Sequence, residues 1–360
     1  MSRIYNFSAG PSILPLPVLE EAAAEFVDYG KSGMSLIEMS HRGKIYSEVN
    51  EKTIEMIRKI FGVPDTHKIL FLGGGATLQF SMVPMNLLKG GKCDFTLTGS
   101  WAKKAYSDAV KVGTANVVFD GKADNYSSLP DAADINVDSG SAYLHMTSNE
   151  TIGGIQWKDW PDTGNVPIVC DMSSDILSRS VPFEKFGLIY AGAQKNLGPA
   201  GVALVIIRED VLESCSEDLT AYLSYKVHAK GNSLYNTPPV FCIYMIMKVL
   251  EWLEKQGGLS GAVKMAEERS GMIYGAIDGS GGYYRSPVAK DCRSLMNIVW
   301  RLPSEELEKK FISEAASAGM AGLKGHRSVG GCRASVYNAM PVAGAKALAD
   351  FMADFAAKNG

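Results

Sequence analysis

The stretch FGLIYAGAQKNLGPAGVALVII (186–207) contains two apolar runs, LIYAGA (188–193) and VALVII (202–207). Between them lie Lys195 and a turn rich in glycine and proline. Runs that are apolar throughout are typical of strands covered on both faces by helices. We therefore predict two buried strands, with Lys195 at the end of the first. Ligands of open α/β sheets bind beyond the carboxyl ends of the strands, so this turn is a candidate site.

Similar runs occur upstream and alternate with helical patterns. Helices are expected at 16–29, 46–61 and 239–255 from their hydrophobic spacing. Further buried strands are expected at KILFL (68–72), CDFTLT (93–98), NVVF (116–119), AYLHMT (142–147) and PIVCDM (167–172). Strands that alternate with helices predict an α/β fold in three layers with a mostly parallel sheet.

The C-terminal part has a different pattern. Residues 294–302 and 333–340 alternate apolar and polar side chains, which predicts half-exposed strands, and a helix is expected at 341–358. This order indicates a smaller α+β domain. The glycine-rich KQGGLSG (255–261) is the best candidate for a boundary. We therefore expect a large domain over 15–256, and a small domain over 257–360 that includes the N-terminal segment 1–14.

Composition narrows the function classes. Of the 360 residues, 46% are hydrophobic and 21% are charged, and the net charge is −3, with no block of lysines and arginines. Neither a nucleic-acid partner nor a membrane partner is therefore expected. The six cysteines are scattered singly, without a C-x-x-C pair, so neither a metal site nor a disulfide framework is expected. The N-terminus lacks the charged and apolar regions of a signal peptide, and we expect a cytoplasmic protein.

Two residues at predicted strand ends suggest a reaction. Asp171 ends the apolar strand PIVCD, and Lys195 ends another strand shortly downstream. Pyridoxal phosphate (PLP) chemistry needs a lysine amine that forms an imine, and an aspartate that keeps the pyridine nitrogen protonated. Each residue also has an ordinary interpretation. A lone lysine at a strand end is usually solvated, and DMSS (171–174) has the composition of a helix cap.

Two further features fit a cofactor site. Three glycines (73–75) follow a predicted strand and precede a helix that begins near Ala76 and Thr77, an arrangement that favours a bound phosphate. Trp101 follows another strand within a Gly-Ser turn, where an aromatic side chain can stack on a flat ring. Alternatively, the glycines form only a tight turn and Trp101 packs in the core. Together these features describe a phosphate cup, a ring stacker, a pyridinium partner and an imine lysine.

Longer motifs carry a resemblance to a known family over nearly the whole chain. The sequence resembles the phosphoserine aminotransferases, fold-type I PLP enzymes of the class V aminotransferase group. The motifs are, in order, NFSAGPSILP (6–15), MSHR (39–42), FLGGGAT (71–77), GSWAKKA (99–105), TSNETIGGIQ (147–156), DMSSDILSR (171–179), AGAQKNLGPAG (191–201), NTPPVFCIYM (236–245) and GHRSVGGCRASVYNAMP (325–341).

The resemblance implies roles for the cofactor-binding residues. It implies that Lys195 carries PLP, that Asp171 pairs with the ring nitrogen, that Trp101 stacks on the ring and that Thr151 binds the ring hydroxyl. It also implies a homodimer in which each site takes residues from both subunits. The phosphate ligands that it implies are Ala76, Thr77 and Gln194 from one subunit, with Asn236 and Thr237 from the second.

The resemblance also implies the substrates. Glutamate would donate its amino group to 3-phosphohydroxypyruvate, giving O-phospho-L-serine and 2-oxoglutarate in serine biosynthesis. Relatives also aminate the phosphorylated 2-oxo acid that leads to 4-phosphohydroxy-L-threonine in vitamin B6 biosynthesis, and nothing in the sequence excludes this. Each substrate has two anionic ends, which guanidinium groups suit. The implied α-carboxylate anchor is Arg333, and the implied distal pocket is formed by His41, Arg42, His326 and Arg327.

The sequence departs from the family pattern at two positions. Thr77 stands where some members have arginine, so one positive charge near the distal anion is missing. Ala9 stands where relatives have a serine. Two enzymatic alternatives stay open, namely a different small-substrate aminotransferase of class V and a lyase similar to the cysteine desulfurases. Cys332 beside Arg333 invites the second alternative, although a small buried residue is its ordinary interpretation. A non-catalytic PLP- or phosphate-binding protein is a third alternative.

Overall fold

The computed structural model describes residues 3–360, and a seven-stranded sheet forms its centre. The strand order is β2-β10-β9-β8-β5-β3-β4, and β10 alone in this sheet runs antiparallel to its neighbours. Over the described residues the strands are β1 (Tyr5–Asn6), β2 (His67–Leu72), β3 (Lys92–Leu97), β4 (Thr114–Asp120), β5 (Leu144–Thr147), β6 (Asn149–Glu150), β7 (Ile155–Gln156), β8 (Ile168–Asp171), β9 (Phe186–Gly192), β10 (Ala203–Arg208), β11 (Asn297–Trp300), β12 (Met320–Ala321) and β13 (Cys332–Ser335). The mostly parallel sheet expected from the sequence is confirmed.

Helices cover both faces of this sheet. The α-helices are α1 (Leu16–Glu25), α2 (Lys44–Phe61), α3 (Gly75–Leu87), α4 (Ser100–Val112), α5 (Glu209–Ser214), α6 (Tyr225–Lys230), α7 (Val240–Lys255), α8 (Gly258–Asp278), α9 (Glu305–Ser317) and α10 (Val342–Asn359). Helix α1 is shorter than predicted. It ends at Glu25, and a 3-10 turn follows at Tyr29–Lys31, where Gly30 has a φ of 60° that interrupts helical geometry.

Side-chain alternation along the strands divides the core into two layers. On β8, Ile168 and Cys170 pack with α1, α2 and α7, whereas Val169 packs with α3 and α4 on the opposite face. The central strands are therefore buried on both sides, which explains why their sequences are apolar throughout. The three-layer α/β architecture follows directly. No helix among residues 3–360 is long and apolar enough to cross a membrane.

A third hydrophobic cluster lies in the C-terminal part and includes side chains from α8, α9, α10, β11 and β13. The expectation of half-exposed strands here is wrong, because all four residues of β11 are buried. Its polar residue Asn297 is not solvated but donates from Nδ2 to Ser335 Oγ on β13, at 2.9 Å. Helix α8 contributes Ala262 to the large cluster and Ile273 to this one. The domain division at 256/257 stays a prediction.

Candidate active site

The carboxyl ends of the parallel strands surround a cavity of about 280 Å³. Asp171 is the last residue of β8, and Lys195 follows the end of β9. The lining brings together these residues, which the sequence predicted from distant motifs: Ala76, Thr77, Trp101, Thr151, Asp171, Gln194, Lys195, His326 and Arg333. Ligands of open α/β sheets bind at this edge, so the cavity is the candidate active site.

Lys195 is buried, with 8% of its surface exposed. Its Nζ donates a hydrogen bond to Thr151 Oγ1 at 2.7 Å, and it lies 5.7 Å from the centre of the Trp101 ring. Burial lowers the pKa of the Lys195 amine to about 8, although Asp171 and Glu150 act in the opposite direction. A substantial fraction of the amine is therefore neutral near physiological pH, as a nucleophile or a proton acceptor must be.

Asp171 is buried beside this amine. Its Oδ1 accepts a hydrogen bond from the backbone N–H of Ser173 at 2.9 Å, so Asp171 also caps the turn that follows β8. Burial raises the pKa of Asp171, whereas Lys195 and the hydrogen bonds from Ser173 lower it. A buried carboxyl that lines a cavity can pair with a cationic group on a ligand.

The three-glycine turn (73–75) leads into helix α3, and the start of this helix forms part of the cavity wall. Gly74 and Gly75 have φ values of 80° and 61°, a region that favours glycine. The helix begins at Gly75, and Ala76 and Thr77 of its first turn line the cavity. Free backbone N–H groups and the helix dipole make this end a site for an anion.

Arg333 on β13 also lines the cavity. It donates from one guanidinium nitrogen to the carbonyl oxygen of Thr151 at 3.1 Å, and its buried Nε has no partner among the described residues. His326 also lines the cavity, and its Nδ1 lies 2.7 Å from Ser328 Oγ. A half-buried guanidinium with a spare donor is well suited to bind a carboxylate.

The remaining sequence-predicted residues lie outside the lining of this cavity. His41 is buried and Asn236 is half-buried, whereas Arg42, Thr237 and Arg327 are exposed. Asn236 donates from Nδ2 to the backbone oxygen of its neighbour Thr237 at 3.0 Å. The roles implied for these residues stay predictions.

Several lining residues were not predicted from the sequence. Asn149 and Ser174 bond to each other, since Ser174 Oγ donates to the Asn149 carbonyl at 2.7 Å. Ser173 Oγ accepts from the Gly192 N–H at 3.0 Å and so joins the ends of β8 and β9. These residues lie in the motifs TSNET and DMSS, and membership in these motifs is the one feature of the sequence that could have marked them as lining residues. Near them, Glu150 has a fully buried carboxyl whose pKa burial raises to about 7.

Comparison with known proteins agrees with this geometry. The model of the family described as aminotransferase class-V matches residues 4–348. The chain belongs to the class V aminotransferase family. A phosphoserine aminotransferase from Lysinibacillus sphaericus is 53% identical over 99% of both chains. A solved phosphoserine aminotransferase from Bacillus circulans subsp. alkalophilus is 51% identical, with a TM-score of 0.97 over 99% of both chains. A PLP-bound phosphoserine aminotransferase from Trichomonas vaginalis is 38% identical, with a TM-score of 0.92 over 98% of this chain and 100% of that one.

Membership in this family confirms two expectations. The resemblance noted in the sequence is confirmed, and so is the PLP fold type I, because the similarity to solved phosphoserine aminotransferases covers nearly every residue. The family also has consequences for the cavity. An aminotransferase needs a place for a cofactor phosphate, a ring and a reactive amine. Thr77, Trp101 and Lys195, which the sequence predicted for these three tasks, line one cavity, and their roles stay predictions.

Proposed function

We propose that this chain is a phosphoserine aminotransferase, which transfers the amino group of L-glutamate to 3-phosphohydroxypyruvate and gives O-phospho-L-serine and 2-oxoglutarate. The observation that carries the proposal is similarity to enzymes of this name along the whole chain, at 53% identity over 99% of it. The cavity supports it chemically, since it combines a buried lysine, a buried aspartate and an arginine suited to a carboxylate. The product places the enzyme in serine biosynthesis.

Pyridoxal phosphate is the cofactor of the family, and the residues present fit it. The start of α3 offers its N–H groups to the phosphate, and Gln194 lines the cavity close by. Asp171 would pair with the ring nitrogen and Thr151 with the ring hydroxyl. Trp101 would lie against the ring, and its buried Nε1 has no partner among the described residues. When bound, PLP withdraws electrons from the substrate carbon that loses its proton.

The protein's own groups have defined tasks in this reaction. Lys195 would carry the cofactor and then, once the substrate amine has displaced it, move the proton at the substrate Cα with its Nζ. Thr151 orients that nitrogen through a 2.7 Å hydrogen bond. Arg333 would bind the α-carboxylate, which both substrates share. Asp171 would keep the ring nitrogen protonated, because an ionised carboxylate beside it favours the charged form.

The distal anion differs between the two half-reactions. Glutamate presents a carboxylate, whereas 3-phosphohydroxypyruvate presents a phosphate with more charge and more acceptor oxygens. His326 lines the cavity, and with Arg327, His41 and Arg42 it would form the pocket for this anion. The same pocket would accept the longer phosphorylated 2-oxo acid of vitamin B6 biosynthesis, because the two oxo acids share their anionic ends.

A homodimer with shared sites belongs to the same proposal. Asn236 is half-buried and Thr237 is exposed, and both lie outside the cavity of their own subunit, which fits a contribution to the phosphate of the partner's cofactor. Two-fold dimers place the same residues in both sites, so each dimer would contain two complete sites. A cytoplasmic location is proposed on the basis of the family's biosynthetic role.

The desulfurase alternative finds little support in the described cysteines. Cys332 is 1% exposed, and burial raises the pKa of its thiol. Among residues 3–360, Cys242 is half-buried and the other cysteines are buried. The Sγ of Cys242 donates to the Ala200 carbonyl. A persulfide-forming cysteine needs an accessible thiolate, so none of these residues is placed for that reaction.

A coupled assay tests the proposed function. Purified protein with PLP, O-phospho-L-serine and 2-oxoglutarate should form glutamate, and Lys195→Ala should abolish turnover while leaving the cofactor phosphate site in place. Borohydride should fix the cofactor irreversibly onto the wild-type protein, and peptide mapping should find it on Lys195. A label on another lysine, or wild-type protein that turns over cysteine but not phosphoserine, would overturn the proposal.

A further inference from the structure

Glu150 joins the candidate site to the helix that carries Trp101. Its carboxyl accepts hydrogen bonds from the backbone N–H of Trp101, at 3.1 Å to both oxygens, and from that of Ala102 at 2.9 Å to Oε1. These N–H groups belong to the first turn of α4, which starts at Ser100. A carboxylate at this place satisfies donors that the helix itself leaves free and interacts favourably with the helix dipole.

No local residue can replace this cap. The N-cap position of α4 is Gly99, which has no side chain to accept a hydrogen bond. A Cβ at Gly99 would lie 2.5 Å from Cδ of Glu150, which is closer than two carbon atoms that are not bonded to each other can approach. The glycine therefore leaves room for a carboxyl that comes from a strand 49 residues away in sequence.

The residue after Glu150 makes the other contacts of the site. Thr151 accepts from Lys195 Nζ through its hydroxyl, at 2.7 Å, and from Arg333 through its carbonyl, at 3.1 Å. Two consecutive residues thus contact the helix of Trp101, the amine of Lys195 and the guanidinium of Arg333. A shift of this dipeptide would move the three groups relative to one another.

We propose that Glu150 is a positioning residue for the transamination proposed above, acting as an acceptor that fixes the start of α4 and thereby holds the Trp101 indole against the cofactor ring. The proposal rests on the proposed function for its reaction but makes a separate claim about geometry. The essential property is the acceptor oxygen and not the negative charge. Oε1 accepts from both Trp101 N–H and Ala102 N–H, so a glutamine with its carbonyl oxygen in the place of Oε1 could keep these two bonds. Its amide nitrogen would replace Oε2 and lose only the second, 3.1 Å contact with Trp101 N–H.

Burial supports an acceptor role of this kind. The carboxyl is fully buried, and desolvation raises its pKa to about 7 although the two backbone N–H groups lower it. The protonated and the ionised forms are therefore both populated near neutral pH. Either form offers an oxygen to the N–H groups, whereas alanine offers none.

The test compares Glu150→Gln with Glu150→Ala in the full-length protein. The first readout is PLP binding to the cofactor-free protein, followed by quenching of tryptophan fluorescence, with Trp101→Phe defining the part of the signal that comes from Trp101. The second readout is kcat and KM for phosphoserine. Ser304→Ala is the matched control, because Ser304 Oγ caps α9 by accepting from Leu307 N–H at 3.2 Å. Helix α9 packs in the third hydrophobic cluster and does not line this cavity.

We expect Glu150→Gln to bind PLP within about threefold of wild type. Glu150→Ala should bind it about tenfold more weakly, lose much of the Trp101 quenching and lower kcat by about tenfold to a hundredfold, as a misplacement of about 1 Å does. The KM for phosphoserine should change little, because Glu150→Ala truncates only the side chain and leaves the Thr151 carbonyl to accept from Arg333. Gly99→Ala should reproduce the alanine phenotype by displacing the carboxyl, and it serves if Glu150→Ala fails to fold.

Three results would overturn the proposal. One is that Glu150→Ala, folded, retains wild-type quenching and affinity. Another is that Glu150→Gln is damaged as severely as Glu150→Ala, which would mean that charge is essential. The third is that Ser304→Ala lowers PLP affinity to the same extent, which would indicate a general loss of stability. A wild-type protein that binds PLP but does not use phosphoserine would refute the proposed function while leaving the binding arm of this test intact.

Discussion

The structure predicts that the Lys195 amine of the cofactor-free protein is more acidic than an ordinary lysine, and its reactivity toward an acylating reagent measures this. Burial lowers the pKa of this amine from 10.5 to about 8. At pH 7 about 9% of the amine is then neutral, compared with about 0.03% for a lysine with a pKa of 10.5. Lys195 should therefore react about 300-fold faster with a small acylating reagent than an amine of the higher pKa, if access is equal.

Two substitutions should move this pKa in opposite directions. Asp171 raises the pKa of Lys195 and Arg333 lowers it, although burial has the largest effect. Asp171→Asn removes a neighbouring carboxylate and should lower the pKa by about one unit. The neutral fraction at pH 7 would then rise from about 9% to about 50%, a gain of about fivefold. Arg333→Gln should raise the pKa and slow the reaction.

Competitive acetylation measures these changes directly. Cofactor-free protein is pulsed with isotopically labelled acetic anhydride between pH 6 and pH 11, and the label on the Lys195 peptide is quantified by mass spectrometry. Lys44, whose side chain is 90% exposed, provides an internal reference for reagent concentration. Labelling of Lys195 should reach half its maximum near pH 8, because the neutral fraction increases as the pH rises through the pKa.

Two outcomes would refute this account of the site. If labelling of Lys195 has its midpoint near pH 10.5, burial does not depress the pKa of this amine. If Asp171→Asn and Arg333→Gln shift the midpoint in the same direction, the two charges do not act on the amine as described. The measurement uses no PLP and no substrate, so it tests the geometry of the cavity independently of the proposed reaction.

Other predictions concern the distal pocket, the dimer and the helices behind the sheet. In the proposed dimer site, Arg42 and Arg327 would pair with the distal anion away from water, and losing one partner of such a pair costs about 2–5 kcal/mol. Arg42→Ala and Arg327→Ala should therefore slow single turnover with phosphoserine by about thirtyfold to several thousandfold. They should spare alanine, and equal losses for both donors would assign them a structural role. Mixed dimers of Lys195→Ala with Asn236→Ala should regain activity through one intact site, and heterodimers without activity would refute shared sites. Lys248→Met removes a buried ammonium that contacts the carboxylates of Glu21, Glu25 and Glu251. It should destabilise the protein by about 2 kcal/mol and lower the melting temperature in calorimetry by several degrees. An unchanged melting temperature would mean that these ion pairs contribute nothing to stability.

The fold was predictable where burial leaves a simple pattern in the sequence. Strands such as Ile168–Asp171 and Phe186–Gly192 are apolar throughout because both of their faces are covered. The strand order and the antiparallel direction of β10 were not predictable, because they depend on pairings between distant segments. The exposure predicted for 294–302 was wrong because Asn297 finds a buried partner in Ser335, and a polar residue with a partner looks like a solvated one in the sequence.

The site was predictable to the extent that it lies at strand ends. Lys195 and Asp171 could be proposed from their positions after apolar runs, and the structure places both at one cavity. Glu150 could not be proposed, because its task depends on a contact with a helix start 49 residues earlier in the sequence. A local cap would have left a signal beside the helix, but Gly99 at that position leaves none.

The charges of the cavity bear on the proposal that two subunits share each phosphate site. The Asp171 carboxyl and the partly ionised Glu150 carboxyl lie near two cations, Lys195 and Arg333, so the charges of these four groups partly offset one another. The start of α3 offers about half a positive charge, whereas a phosphate monoester carries about −1.5 to −2. Thr77 adds no charge at the place where some relatives have arginine. Further donors would stabilise the phosphate, and in the proposed dimer the segment at Asn236 and Thr237 would supply them across the interface.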